Sequence, residues 1–216
     1  NNSISVNSRT ASKDVFAGDP YPYESPDTTH FSVMDQYGNA VSNTYTLNFS
    51  YGSGIMIPGT GMLMNNEMDD FSSKPGVPNG YGLLGSEANS IEANKRPLSS
   101  MTPTIIFKDD KPYLVLGSPG GSRIITTVLQ VALNVMEHGM NVAQAVNSPR
   151  IHHQWLPETL MIEKGFGPDT EKLLQEKGYR LYPSSTMGSV QAILKDGEYF
   201  YGAADPRRPG SGAVAP

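Results

Sequence analysis

The longest apolar-periodic run in the chain lies between residues 122 and 138, and what stands on either side of it narrows the fold more than anything else. Ile125, Val128 or Leu129, Ala132 and Val135 or Met136 recur at helical spacing, and Gly139 ends the run. Before it, two-residue alternation gives strand pairs. One hairpin starts at Thr29, turns at Gln36-Tyr37-Gly38-Asn39 and returns over 40–48; another pairs 103–107 with 113–117. After it come a short helix over 141–147, stopped before Pro149, and an amphipathic helix over 168–177 that Gly178 ends. A last hairpin, 188–195 with 198–203, turns at Asp196-Gly197. Strands at both ends with helices between them predict a mixed α/β (α+β) chain in which helices pack on sheets.

Composition removes several classes of function. Sixteen Lys and Arg against twenty-one Asp and Glu give a formal net charge of −5, which offers no basic face to a nucleic acid. No apolar run approaches the roughly 18–20 residues of a membrane span. The chain has no cysteine, which excludes disulfides, thiol nucleophiles and thiolate metal sites and suits an exported protein as well as a cytosolic one. No signal peptide is visible, but a fragment would have lost it.

The chemistry centres on Asp27-Thr28-Thr29-His30-Phe31-Ser32-Val33. A threonine hydroxyl holds its proton too tightly to attack a carbonyl at neutral pH. Cutting the chain just before it frees an α-amine, with a pKa of roughly 7.7–8.0, that serves as the residue's own general base. Such a chain must first break the Asp27–Thr28 bond, by attack of the Thr28 hydroxyl on the Asp27 carbonyl. On the returning strand, Thr46 and Asn48 are expected on one face beside Thr28, with Thr46 within hydrogen-bonding reach; a plain surface-strand threonine is the alternative. Glu67 and Asp70, three residues apart, can converge on one ammonium if their segment turns. They also fit a solvated acidic turn, or a cation site with Asp69 that falls short of six oxygens. Ser99 and Ser100 can donate to a carboxylate, and no His or Asp pattern marks either as a nucleophile. Gly120-Gly121, ahead of the long helix, leaves backbone N–H groups to cradle an oxyanion, whereas a phosphate loop would need the Lys and spacing that are missing. His152 and His153 are adjacent, so on a strand they point to opposite faces and do not share a metal. Residues 205–216, rich in Pro and Gly, read as peripheral.

Five stretches stand in order: Thr28-Thr29-His30-Phe31-Ser32, Tyr45-Thr46-Leu47-Asn48, Asn65-Asn66-Glu67-Met68-Asp69-Asp70-Phe71, Arg96-Pro97-Leu98-Ser99-Ser100-Met101 and Gly117-Ser118-Pro119-Gly120-Gly121-Ser122-Arg123. Together they resemble the small subunit of γ-glutamyltranspeptidase, an N-terminal-nucleophile hydrolase made as one precursor and cut in two. The resemblance runs from about Gly18 to the end. It implies a four-layer αββα sandwich completed by a large subunit. Residues 1–27 become that subunit's tail, which an uncut precursor or an unprocessed gene product would carry; for residues 1–17 a disordered chain end fits equally. Residues 28–216 become the catalytic subunit, and the Gly- and Pro-rich segment 74–94 a lid with Tyr81 near the nucleophile.

The roles implied are Thr28 as nucleophile with Thr46 assisting it and Gly120 and Gly121 as oxyanion donors. Asn48 faces the substrate, Glu67 and Asp70 hold its ammonium, and Ser99 and Ser100 hold its carboxylate beside an arginine of the large subunit. Many relatives have glutamine where Glu67 stands. The implied donors are glutathione and other γ-glutamyl compounds, the acceptors water, amino acids or peptides. No cofactor or metal is implied, and the implied location is periplasmic or secreted. On the same scaffold, a glutaryl or cephalosporin acylase and a γ-polyglutamate transpeptidase are alternatives. An uncut, inactive homologue acting as a binding subunit is a third.

Overall fold

The computed structural model describes Ser8 and residues 28–80, 83–155 and 157–215. The scissile Asp27, the upstream residues 1–27 apart from Ser8, and Tyr81 therefore lie outside the described residues. Two compact units share the chain.

The larger unit takes the described parts of Ser25–Glu67, Ser99–Ser148 and Met187–Pro216. It opens with an antiparallel hairpin of β1 (Thr29–Met34) and β2 (Ala40–Tyr45). The Asp35 carboxylate shapes the turn by accepting from the N–H groups of Tyr37 and Asn39 and from the Asn39 amide. β2 is shorter than its alternating sequence suggests. Asn48 has φ of 74°, a left-handed conformation that takes the backbone out of the strand after Tyr45. β3 (Thr104–Lys108) and β4 (Lys111–Gly117) form the second hairpin. The loop expected over 108–112 contracts to Asp109-Asp110, both at positive φ, as a two-residue turn between twisted strands requires. Helices α1 (Arg123–Met136) and α2 (Val142–Asn147) follow, the second closed by a capping box between Asn141 and Gln144.

In the smaller unit, which includes Met68–Leu98 and Pro149–Thr186, β5 (Ile151–His152) pairs antiparallel with β6 (Leu160–Glu163). Helix α3 (Pro168–Glu176) then leads to β7 (Leu181–Ser184), parallel to β6. The buried Glu163 carboxylate accepts the Arg150 N–H at 3.0 Å.

Back in the larger unit, β8 (Gln191–Asp196) and β9 (Tyr199–Ala204) complete a four-stranded sheet of order β3-β4-β8-β9. Alternation along β4 shows its layering. Leu114 and Leu116 join Ile124, Val128, Val131 and Val135 of α1 in the core, while Val115 and Gly117 face the other way, where β1 and β2 pack. Helices on sheet on hairpin give three layers of the expected αββα order.

The contact between the hairpin and the sheet is polar near Gly117. His30, Ser32, Ser42 and Thr44 point inward, and Ser42 donates to the Leu116 carbonyl at 2.9 Å. Ser32 donates to the Gln191 carbonyl at 3.0 Å, so its oxygen receives the proton of His30 Nε2 at 3.0 Å. His30 Nδ1 then accepts from Thr44 Oγ1 at 2.7 Å. Burial pushes the imidazole pKa down to about 4, and the ring stays neutral. A Cβ on Gly117 would overlap that ring. Gly117→Ala is therefore expected to destabilise the protein by about 2–3 kcal/mol, the upper part of the overpacking range. A urea midpoint measures this, and adding His30→Ala should restore part of the loss; no recovery would mean the clash lies elsewhere.

Candidate active site

The β1–β2 register sets the site. Thr29 pairs with Tyr45, so the next step outward brings Thr28 opposite Thr46. Thr28 is buried, and its Oγ1 donates to Thr46 Oγ1 at 3.2 Å. Thr46 Oγ1 also accepts the N–H of Asn48 at 2.8 Å, a local turn stabilised by the hydroxyl. The sequence places Thr46 and Asn48 on one face of a continuing strand. In the structure that turn and the positive φ of Asn48 bring them together instead.

Asn48 is buried, and its amide donates to the Asn66 carbonyl at 3.2 Å. Asn66 answers with its N–H to the Leu47 carbonyl at 3.1 Å and accepts the Phe49 N–H at 3.0 Å. This clasp holds the residue before Glu67 against the end of the hairpin. Asn66 carried no role in the sequence reading, because an asparagine's use as a two-sided clasp shows only when both strands of the loop are in place.

Glu67–Asp70 forms a 3₁₀ turn, so the segment does turn as the ammonium reading requires, and residues i and i+3 eclipse on one side of such a turn. In the smaller unit, Asp69 accepts the Gly80 N–H at 3.0 and 3.1 Å, and Asn89 donates to the Asp70 carbonyl at 2.7 Å. Burial, and secondarily the charge of Asp69, push the Asp70 carboxyl up to about 6. Asp69 and Asp70 line a cavity of about 140 Å³ with Lys74, Asn79 and Asn89. The segment 74–94 is bridged across itself at Pro78 and Leu84.

Ser99 Oγ accepts the Met101 N–H at 3.2 Å, and Ser100 is half-buried; neither is bonded to the Thr28–Thr46–Asn48 cluster among the described residues. After β4, Gly120 has φ of 137° and Gly121 of 56°, conformations that ask for glycine. Gly188 packs close by: a Cβ on Gly120 would sit 3.3 Å from the Gly188 Cα. The carbonyls of Gly120 and Gly121 accept from Arg123 and Ile124 as α1 begins. Among the described residues, their own N–H groups donate to no acceptor.

The segment after β9 is not peripheral, contrary to its composition. Asp205 is fully buried and accepts from the N–H groups of Val190 and Arg207 and from the Arg207 guanidinium. Arg207 also donates to the Val146 and Ser148 carbonyls at 3.0 and 2.9 Å, closing the C-terminal end of α2. Arg208 Nη1 donates to the carbonyl of Thr28 itself at 2.7 Å. Groups of three or more His, Cys, Asp or Glu placed to hold a metal are absent among the described residues.

The layered α/β architecture is that of the N-terminal-nucleophile hydrolases. Within that class the γ-glutamyltranspeptidase family model matches residues 1–215, and the chain belongs to that family. It is 58% identical over 206 residues to the glutathione hydrolase proenzyme of Escherichia coli (strain K12), covering 94% of this chain and 35% of the relative. The chain thus spans about a third of the length of that curated relative. Among solved structures, a mutant of Helicobacter pylori γ-glutamyltranspeptidase is similar with a TM-score of 0.81 and 58% identity, covering 83% of this chain and all of that one. The Pseudomonas nitroreducens γ-glutamyltranspeptidase complexed with L-DON gives 0.80 and 48%, over 87% and 100%.

Proposed function

We propose that this chain is the catalytic part of a γ-glutamyl transferase and hydrolase acting on glutathione and related γ-glutamyl compounds. In a chain of this family, the hydrogen-bonded cluster of Thr28, Thr46 and Asn48 carries the reading. Scission of Asp27–Thr28 frees the Thr28 amine. The amine takes the Thr28 hydroxyl proton as Oγ1 attacks the γ-carbonyl, with Thr46 holding that hydroxyl in line. The N–H groups of Gly120 and Gly121 receive the oxyanion, each worth roughly 3–4 kcal/mol in such sites. The amine returns its proton to the leaving amine, and a γ-glutamyl ester remains on Thr28. Water, an amino acid or a peptide then resolves the ester.

Glu67 and Asp70 hold the donor's ammonium, Ser99 and Ser100 its carboxylate, and Asn48 faces the bound donor. Segment 74–94, with Tyr81, closes over the pocket. Residues 28–216 are the small subunit in this reading, and residues 1–27 the tail of the large one. The large subunit supplies the further arginine for the carboxylate. Two apolar faces support a partner of that kind. Phe31, Val33, Val41 and Tyr45 line the outer face of the hairpin, and Ile125, Leu129, Leu133 and Met136 make a stripe along α1; all are exposed in this chain. No helix among the described residues is long and apolar enough to cross a membrane, and we place the enzyme in the periplasm or outside the cell by analogy with the family.

The test is a comparison of γ-glutamyl and glutaryl anilides on the processed enzyme. Paired carboxylates for an ammonium predict a preference of at least about 100-fold for the γ-glutamyl compound, since a charged hydrogen-bonded contact is worth roughly 1.5–3 kcal/mol. Preference for the glutaryl compound would replace this reading with that of an acylase.

A further inference from the structure

An N-terminal nucleophile has an anchoring problem. Once the bond before it is cut, residue 28 keeps one covalent tether, through its carbonyl carbon, and rotation about that end would swing both amine and hydroxyl out of line. In this chain the Thr28 carbonyl is held by Arg208, whose Nη1 donates to it at 2.7 Å. Arg208 is half-buried, and no carboxylate pairs with it among the described residues. It lines a cavity of about 330 Å³ together with Thr29, His30, Pro119 and Ser189. The preceding residues fix where it sits: Asp205 is locked to Val190, and Arg207 is locked to Asp205 and to the end of α2.

We infer that Arg208 is a positioning residue for Thr28, fixing the nucleophile by its carbonyl and keeping the freed α-amine unprotonated by its charge. The inference rests on the reading of Thr28 as a released N-terminal nucleophile. Covalent geometry puts the amine nitrogen within roughly 6 Å of the guanidinium nitrogen. A cation at that range disfavours an ammonium and lowers its pKa, by on the order of one unit between the surface and aqueous dielectric limits. A base must be free to accept a proton, so the charge favours the active form at neutral pH.

Among the described residues, the other groups around Thr28 do not supply this cation. His30 is neutral in its hydrogen-bonded chain. β2 carries no charged residue, and Lys195 and Asp196 of β8 lie four or more residues beyond Gln191, roughly 13 Å or more along the strand. Lys111 and Tyr113 lie as far from Gly117 on β4. Arg207 is committed to Asp205. Glu67, the residue after Asn66 in the clasp, carries charge of the opposite sign, which a substitution at 208 leaves in place.

The experiment uses the full precursor and its Arg208→Gln and Arg208→Lys variants, with pH profiles of kcat/KM on a γ-glutamyl anilide. The Gln variant should show its acid limb moved up by about one pH unit and kcat reduced about tenfold, with donor KM within twofold. The Lys variant, which keeps the charge, should keep the acid limb near that of the parent. Should the Gln variant remain uncut, the Lys variant decides: cutting with the parent's acid limb supports the role, and failure equal to that of Gln contradicts it. Unmoved acid limbs in both variants, with the parent cut at Thr28 and active, would overturn this inference alone. A parent with no N terminus at Thr28 would instead overturn the functional reading on which it stands.

Discussion

With Thr28 replaced by alanine, the precursor is expected to remain a single chain and to lose at least about 10⁴-fold in turnover. The hydroxyl has two successive tasks in the proposed chemistry. It attacks the Asp27 carbonyl, which frees the amine and leaves an ester that water cleaves, and the regenerated hydroxyl then attacks the donor's γ-carbonyl. Neighbouring groups cannot take over. Thr29 points to the other side of β1, and the Thr46 hydroxyl is spent on Thr28 and Asn48. The scale follows from nucleophile knockouts in acyl-transfer sites, where the remaining binding and oxyanion groups sustain only a residue of the original rate. Serine at the same position should retain both steps at reduced speed, since it keeps the hydroxyl and loses only the methyl that restricts χ1. Gel mobility after prolonged incubation and anilide turnover read the two steps separately. Full turnover in the alanine variant would remove Thr28 from the mechanism.

The second large effect is expected at Asp70, where function and stability pull in opposite directions. Burial, reinforced by Asp69, raises its carboxyl to about 6 from an ordinary value of 3.8. Between those values the folded state holds a proton that the unfolded chain releases, so this group's contribution to stability falls as pH rises from about 4 to about 6. Above that window the carboxylate is ionised, and in the proposed function a donor's ammonium supplies its counter-charge. Asp70→Asn keeps the shape and removes the charge. It should cut kcat/KM for γ-glutamyl donors by about 100-fold, near the upper end for a hydrogen bond to a charged group. In the same variant, the loss of stability between pH 4 and pH 7 should shrink, as urea midpoints at the two values would show. The parent's donor KM should also climb as pH falls through about 6. An Asn variant with unchanged kcat/KM would take Asp70 out of donor binding.

Features that depend on local spacing were legible in the sequence. The β1–β2 hairpin, α1 with its stop at Gly139, α2 with its stop before Pro149 and the Asp196-Gly197 turn all follow from alternation, 3.6-residue periodicity or turn chemistry. So did the Thr28–Thr46 pair, because hairpin register carries one residue opposite the other. Features that depend on distant partners were not. β6 and β7 are four residues each, β7 contains Pro183, and they pair in parallel only through α3. Asn48 reads as a strand residue until its φ of 74° is seen. Asp205, Arg207 and Arg208 sit in a Pro- and Gly-rich segment whose composition suggests a loose end. Their burial is set by the Val190 N–H, the carbonyls closing α2 and the carbonyl of Thr28, which no local pattern encodes. His30 was passed over for a similar reason: its neutral relay needs Thr44, Ser32 and Gln191 together.

N-terminal sequencing of the purified, active precursor product reaches the heart of the account. A second N terminus reading Thr-Thr-His-Phe-Ser, appearing in step with γ-glutamyl turnover, is the predicted result. Full turnover from a chain still joined through Asp27–Thr28, or one cut at another bond, would contradict it.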